Sequence, residues 1–387
     1  MDQSGDIRLA SAPSTYGPFD PDAVGVLGAC LALGPAGDAA ALRADIARVG
    51  AERLFALTDT LRLTPALASA LQDKALFVDM PPITLPDGRR TIARTIADEL
   101  AAHDERRAAL TARLTEIVAA CNRIGIEPLL IKGARSLWIG GSRWRAMLDL
   151  DLLAASPRAE AIQSQLRAIG YVDPSNLHER PAHHHLTPLA RRDSPGTIEV
   201  HKRGGNRQAE PLITTAELEA AATVWRHDSG ARARILPAPL HLLHSLVHHH
   251  VGHSSGARGL VDLKGLYEFA AEIARLDEQD RDALLARARR HPRLLVALDL
   301  WIAAANAFFA LPVGPPLLVC ADAAERWRRA LARLTGMRRK EWKYPGYAED
   351  LAMATDRDRA KRAGGDSPVA RVTLGWRAAI SLAPKIA

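Results

Sequence analysis

The sequence predicts an α+β chain in which one small mixed sheet sits between an N-terminal and a C-terminal helical region. Three observations carry this expectation. Ala, Leu and Arg are abundant while aromatic residues make up only 5%, a composition that favours helices over a β sandwich because the first three are good helix formers. Apolar residues recur at helical spacing on both sides of the middle of the chain. Short branched runs bounded by Gly and Pro gather between residues 126 and 203.

Residues 1–20 read as a flexible lead-in of Gly, Ser, Pro and Asp without periodicity. Met1 to Gly17 lacks a basic start followed by an apolar core, so no secretory signal is expected. Residues 21–124 form the N-terminal helical region. Leu42, Ile46, Val49 and Leu54 keep helical spacing, and Pro65 suits a first helical turn. Met80 to Gly88, broken by Pro81, Pro82 and Pro86, reads as a connector. A longer helix is expected from Thr91 to Arg123, with Leu110, Leu114, Ile117, Cys121 and Ile124 on one stripe and Gly125 as its stop.

Residues 125–205 hold the expected sheet. Ile126 to Ile131 and Met147 to Leu153 are strands joined by a basic loop beginning at Lys132-Gly133. A helix from Pro157 to Gly170 follows, then strands at His183 to Ala190 and Thr197 to Arg203, whose turn-rich Asp193 to Gly196 link suggests a hairpin. The α/β unit is expected to close near Arg203. Residues 206–387 return to helices at Thr215 to Ala222, Pro239 to Val251, Gly259 to Leu276, Glu278 to Arg290 and Leu294 to Phe309. A basic helix at 321–339 and an amphipathic piece at 369–382 end the chain.

The net charge of +7 is spread over 387 residues and fits solvated Arg-rich helix faces. No aromatic-basic interleaving or reader motif marks nucleic acid as a partner. Cys30, Cys121 and Cys320 lack metal-ligand spacing and read as buried thiols of a reducing compartment. No apolar run reaches the ~18 residues of a membrane span, and a cytoplasmic protein is expected.

The chemistry concentrates at Asp149-Leu150-Asp151. Four Asp-X-Asp triplets occur, but those at Asp20, Asp280 and Asp356 have Pro or Arg in the middle, and only Asp149 to Asp151 lies inside an apolar strand. Alternation puts both carboxylates on one face and Leu148, Leu150 and Leu152 on the other. Such neighbours repel unless a cation lies between them, which suits Mg²⁺ or Mn²⁺. In Ile198-Glu199-Val200-His201, Glu199 and His201 share a face, so Glu199 can join as a third carboxylate. Lys132, Arg135, Arg143 and Arg145 supply cations of the kind a nucleotide's phosphates need. The plainer reading is a strand whose aspartates pair with those arginines.

The run Leu129 to Ala134, then Arg145, Asp149 to Leu153, Gly170-Tyr171, Ile198 to His201, and the His-bearing segment Leu242 to Asp262 together resemble the uncharacterised nucleotidyltransferase family within the DNA polymerase β-like superfamily. The resemblance implies a mixed-sheet nucleotidyltransferase domain with Asp149, Asp151 and Glu199 as metal-binding and catalytic carboxylates. It implies Lys132, Gly133, Ala134, Ser136, Arg143 and Arg145 around an NTP, ATP first among them. The superfamily's Gly-Ser or Gly-Gly turn is matched in part by Gly133-Ala134, with Ser136 or Gly140-Gly141-Ser142 as substitutes. The implied reaction moves a nucleoside monophosphate from the NTP to a small-molecule, peptide or protein acceptor. A second reading, favoured by the altered glycine motif, is an inactive nucleotide- or peptide-binding regulatory protein of the same fold.

Among 14 His residues, His183, His185, His201, His244 and His248, with Asp262, are candidates to line the acceptor cleft. His244 and His248 are one helical turn apart, the spacing of paired zinc ligands, but no nearby Cys or Glu completes a set, so a zinc hydrolase is the third reading.

Overall fold

The structure, a computed structural model, describes residues 19–34, 38–76, 78–84, 91–92, 95–140, 144–174, 184–192, 195–252 and 262–311. Helices α1 (Pro21–Cys30), α2 (Ala39–Val49), α3 (Ala51–Leu61) and α4 (Thr64–Asp73) come first. Asp20 and Asp38 cap α1 and α2 by accepting from Asp22 and Ala40 amides. The Pro-broken connector contributes β1 (Ile83–Thr84), which pairs antiparallel with β2 (Thr91–Ile92). Helix α5 (Ile96–Arg123) therefore begins later than the spacing suggested. Its start is set by a capping box in which Thr95 accepts from the Asp98 amide and Asp98 accepts from that of Thr95.

Next come β3 (Leu129–Leu130), α6 (Lys132–Ile139), β4 (Asp149–Leu153), α7 (Arg158–Ala168) and β5 (Thr197–His201). The expected basic loop is thus a helix at its start. Lys132 makes the break with φ +50°, after which Ala134, Leu137 and Trp138 present a buried helical stripe. Among the described residues, the expected strand at His183 to Ala190 is reduced to single antiparallel pairings of His185 with His201, Leu189 with Ile198 and Ala190 with Val172.

The sheet does not close at Arg203. After α8 (Thr215–Ala221), the antiparallel hairpin β6 (Thr223–Arg226) and β7 (Arg232–Ile235) adds two more strands. Its residues gave little signal because β6 is a wholly exposed edge strand. The strand order is β5-β4-β3-β7-β6, with β4 parallel to β5, antiparallel to β3, and β3 parallel to β7. The chain continues as α9 (Ala238–Val247), a π-helical turn at His248–Gly252, α10 (Leu263–Ile273), α11 (Glu278–Arg289) and α12 (Pro292–Phe309). The fold is α+β, as the composition and periodicity indicated. The expected helices beyond residue 311, and Arg143 and His183, lie outside the described residues.

The strand alternation sorts side chains into two cores. Leu130, Leu150, Leu152, Ile198 and Val200 pack with Leu114, Ile117 and Val118 of α5 and Ile162 of α7. Leu129, Ile131 and Leu153 turn the other way and join a second core, which unites the N-terminal helices with α9 to α12. The two flanking helical regions are therefore one packed body against the second face of the sheet. At its centre α12 is long and apolar enough to cross a membrane by length and composition. Here Leu298, Trp301, Ala305 and Phe309 are buried as it packs on α10, α11 and α1.

Gly196 fixes the approach of β5 to β4. Its φ is +77° and a methyl at its Cα would run into the Leu148 carbonyl oxygen, the same oxygen that accepts from the Thr197 amide at 3.0 Å. Gly196→Ala is expected to destabilise the fold by more than about 2 kcal/mol, read as a lower urea midpoint. Ala at Gly230, where φ is +85° but the space is open, should cost about 1 kcal/mol.

Candidate active site

Parallel pairing of β4 with β5 sets Asp151 directly beside Glu199, and Asp149 beside Thr197. Leu150, Ile198 and Val200 are buried on the opposite face, so this register obliges Asp149, Asp151, Glu199 and His201 to share the face turned toward α9 and α10. His201 Nε2 donates to Asp151 Oδ1 at 2.8 Å and lies 3.5 Å from Glu199 Oε2. Lys132 Nζ meets the same Asp151 Oδ1 at 2.8 Å, with both side chains buried. One oxygen of Asp151 thus takes two donors. His185 lies at the edge, its Nδ1 donating to the Leu186 carbonyl at 2.8 Å and its Nε2 3.8 Å from Glu199 Oε2.

The electrostatics follow from crowding. Burial and then the neighbouring Asp151 carboxylate raise the pKa of Asp149. Burial would raise Asp151 too, but Lys132 and His201 outweigh it and hold its carboxyl well below the ordinary range. Glu199 is lowered in the same way, its hydrogen bond from His201 overcoming burial. Burial would discharge Lys132, yet Asp151, with Glu199 and Asp149, reverses that and raises it. Three carboxylates around one ammonium leave local negative charge in excess, the condition that favours a divalent cation. Donor atoms of Asp151, Glu199 and His201 all lie within 4.8 Å of one another, so the residues present fit such an ion.

The other expected site residues are placed differently. Arg145 is buried and paired with Glu268 at 3.2 Å, and Arg135 donates to the Leu236 carbonyl. Arg145 is thus neutralised by Glu268, and Arg135 is tied to a backbone carbonyl, instead of either being paired with the site carboxylates. Gly133 is where Arg145 and Met147 close in, since a Cβ there would stand 2.6 Å from Met147 Sδ. Ala134 and Ser136 are core residues of α6, and the Ser136 carbonyl accepts from Arg107. His244 donates from Nε2 to the Gly204 carbonyl at 2.7 Å. It shares a cavity of about 40 Å³ with His184 and His248. Asp262 joins neither His244 nor His248: it accepts from His249 Nδ1 at 2.8 Å and caps α10.

Two features were missed. Glu272 accepts from His241 Nδ1 at 3.1 Å, and His241 Nε2 lies 3.3 Å from the Lys132 carbonyl, holding the left-handed residue whose side chain reaches Asp151. Lys264, whose charge partly offsets the rise at Asp149, pairs with Glu268. The signal was available as Lys264, Glu268 and Glu272 at successive four-residue intervals on one helix face.

The pattern of the uncharacterised nucleotidyltransferase family matches residues 47–310. No curated protein matches the chain.

Two outcomes follow from this geometry. Lys132→Met leaves Asp151 without its ammonium and should cost about 3 kcal/mol, the scale for halving a buried pair. The Lys132→Met, Asp151→Asn double variant should recover much of that, as a double-mutant cycle by urea unfolding can measure. Burial lowers the His244 pKa from 6.5 to about 4 against its hydrogen bond to Gly204. The unfolded chain then binds the extra proton between those values, so stability is full above pH 6.5 and falls as pH drops toward 4. The loss is up to about 3 kcal/mol, and His244→Asn should flatten this part of the pH-stability curve.

Proposed function

The chain belongs to the uncharacterised nucleotidyltransferase family, and from that premise we propose that it transfers a nucleoside monophosphate from an NTP, ATP first among them, to a small-molecule, peptide or protein acceptor. The observation that carries the reading is the registered trio Asp149, Asp151 and Glu199 on the sheet face turned toward α9 and α10. A divalent ion such as Mg²⁺ or Mn²⁺ would be held by these three residues. When bound it supplies charge stabilisation for the oxygens that attack and leave the α-phosphorus.

The protein's own groups have distinct tasks in this reading. Lys132, kept cationic by Asp151 and bent toward it by the His241–Glu272 pair, offers a fixed positive charge for the phosphates, and a preorganised charge in a buried site needs little reorganisation during reaction. Glu199, partly exposed and lowered in pKa, is available as a base for the acceptor's proton. His201 orients Asp151 and Glu199 together. Cys30 and Cys121 are buried free thiols, pushed up to about 11 and about 12 by burial, and take no part in this chemistry. The inactive binding-protein reading is favoured by the inward turn of Arg145 and Ser136.

Pyrophosphate release with each NTP and a panel of acceptors tests the proposal. Asp149→Asn and Asp151→Asn should each lower metal-dependent transfer by at least about a thousandfold, with the far-ultraviolet spectrum unchanged. Wild-type turnover in either variant sinks the catalytic assignment. NTP binding with no pyrophosphate release from the wild type would favour the regulatory reading.

A further inference from the structure

We propose that the ion site is a mixed imidazole–carboxylate site, built from Asp151, Glu199, His201 and His185, that prefers a first-row transition ion to Mg²⁺. The inference rests on the catalytic reading only in using the same cluster; it concerns which ion the cluster takes and which nitrogens hold it.

The geometry assigns both imidazoles. His201 is buried, and its Nε2 stands 2.8 Å from Asp151 Oδ1 and 3.5 Å from Glu199 Oε2. Two ligands that each lie about 2.1 Å from one ion are separated by roughly 3 to 3.5 Å, so His201 stands from Glu199 as a fellow ligand does, while its 2.8 Å contact with Asp151 is a hydrogen bond that a shared ion would replace. In the ion-free chain Nε2 carries the ring proton toward Asp151; Nδ1, buried with no hydrogen-bond partner among the described residues, takes that proton when an ion occupies Nε2. His185 supplies the other nitrogen. With Nδ1 donating to the Leu186 carbonyl, its Nε2 carries the lone pair, and that lone pair faces Glu199 Oε2 at 3.8 Å. In the neutral ring that separation leaves room for one ion bound to both atoms. A ring fixed through Nδ1 by a backbone carbonyl is also the usual support of a histidine metal ligand.

The chain positions these nitrogens by pairing. His185 bridges antiparallel to His201 along the outer edge of β5, and the two ring centroids are 5.4 Å apart. Both therefore approach Glu199 from one side while Asp151 approaches from β4. Mg²⁺ is a hard ion that favours all-oxygen, near-octahedral sites. Imidazole donors shift the preference toward Mn²⁺ through Zn²⁺, rising along that series.

The test is a Co²⁺ titration of the full chain, read by visible absorption and calorimetry, with Mg²⁺ titrated in parallel. The wild type should bind Co²⁺ at least about a hundredfold more tightly than Mg²⁺. His201→Gln and His185→Gln should each weaken Co²⁺ by about tenfold or more, with Mg²⁺ affinity changed less than about threefold. His227→Gln, at the turn between β6 and β7 and outside the cluster, should change neither. Thermal midpoints in chelator establish folding, and the partly exposed His185 carries the test should the buried His201 variant unfold. Unchanged Co²⁺ affinity in both variants, or equal losses for Co²⁺ and Mg²⁺, overturns the proposal. The result is separable from transferase activity: histidine-dependent Co²⁺ binding supports the mixed site even in a chain that releases no pyrophosphate.

Discussion

The structure turns on three carboxylates that one sheet register forces together. Pairing β4 with β5 in parallel puts Asp151 beside Glu199 with Asp149 one pleat away, and the apolar residues between them are needed in the core beneath. A shift of one residue would bury the carboxylates and expose Leu150, Ile198 and Val200, so the hydrophobic pattern itself holds the acidic face where it is. The repulsion that results is met by Lys132 and His201 converging on a single oxygen of Asp151. This explains why neighbouring aspartates diverge, Asp149 raised and Asp151 lowered.

Support for that arrangement comes from the far side of the site. Helices α9 and α10 present His241, Lys264 and Glu268 toward it, and these meet the Lys132 carbonyl, the Asp149 charge and the Arg145 guanidinium in turn, with Glu272 holding His241 from behind. These contacts cross a boundary between segments more than a hundred residues apart. The continuity of one hydrophobic core from α1 to α12 through Leu129, Ile131 and Leu153 keeps the two sides in fixed relation, because a close-packed interior transmits position.

A buried ionic network of this kind is weak evidence for stability, since desolvation offsets much of the Coulomb attraction. Its more direct consequence is preorganisation: Lys132 stays charged in a place where burial alone would discharge it. The inward pairing of Arg145 with Glu268 fits the same scheme, with the arginine holding the backbone at Gly133 close while Lys132 faces the carboxylates.

The sequence by itself determined the fold class, the α5 stripe, the β4 and β5 strands, the shared face of Asp149 and Asp151, and that of Glu199 and His201; the β4–β5 register then set the two pairs together. The sequence-determined features follow from periodicities of two and 3.6 within a dozen residues, where side-chain direction is fixed by local backbone geometry. Thr95 and Asp98 held a capping signal that was legible but passed over in favour of Thr91. Only the tertiary structure decided which cation reaches which carboxylate. Lys132, Arg135 and Arg145 look equivalent along the chain, yet one meets Asp151, one the Leu236 carbonyl and one Glu268. The exposed β6 edge, the Asp262–His249 pair and the His241 support of Lys132 were also beyond reach. Their partners lie on other elements, and the choice among several possible partners is made by packing, which no local pattern encodes.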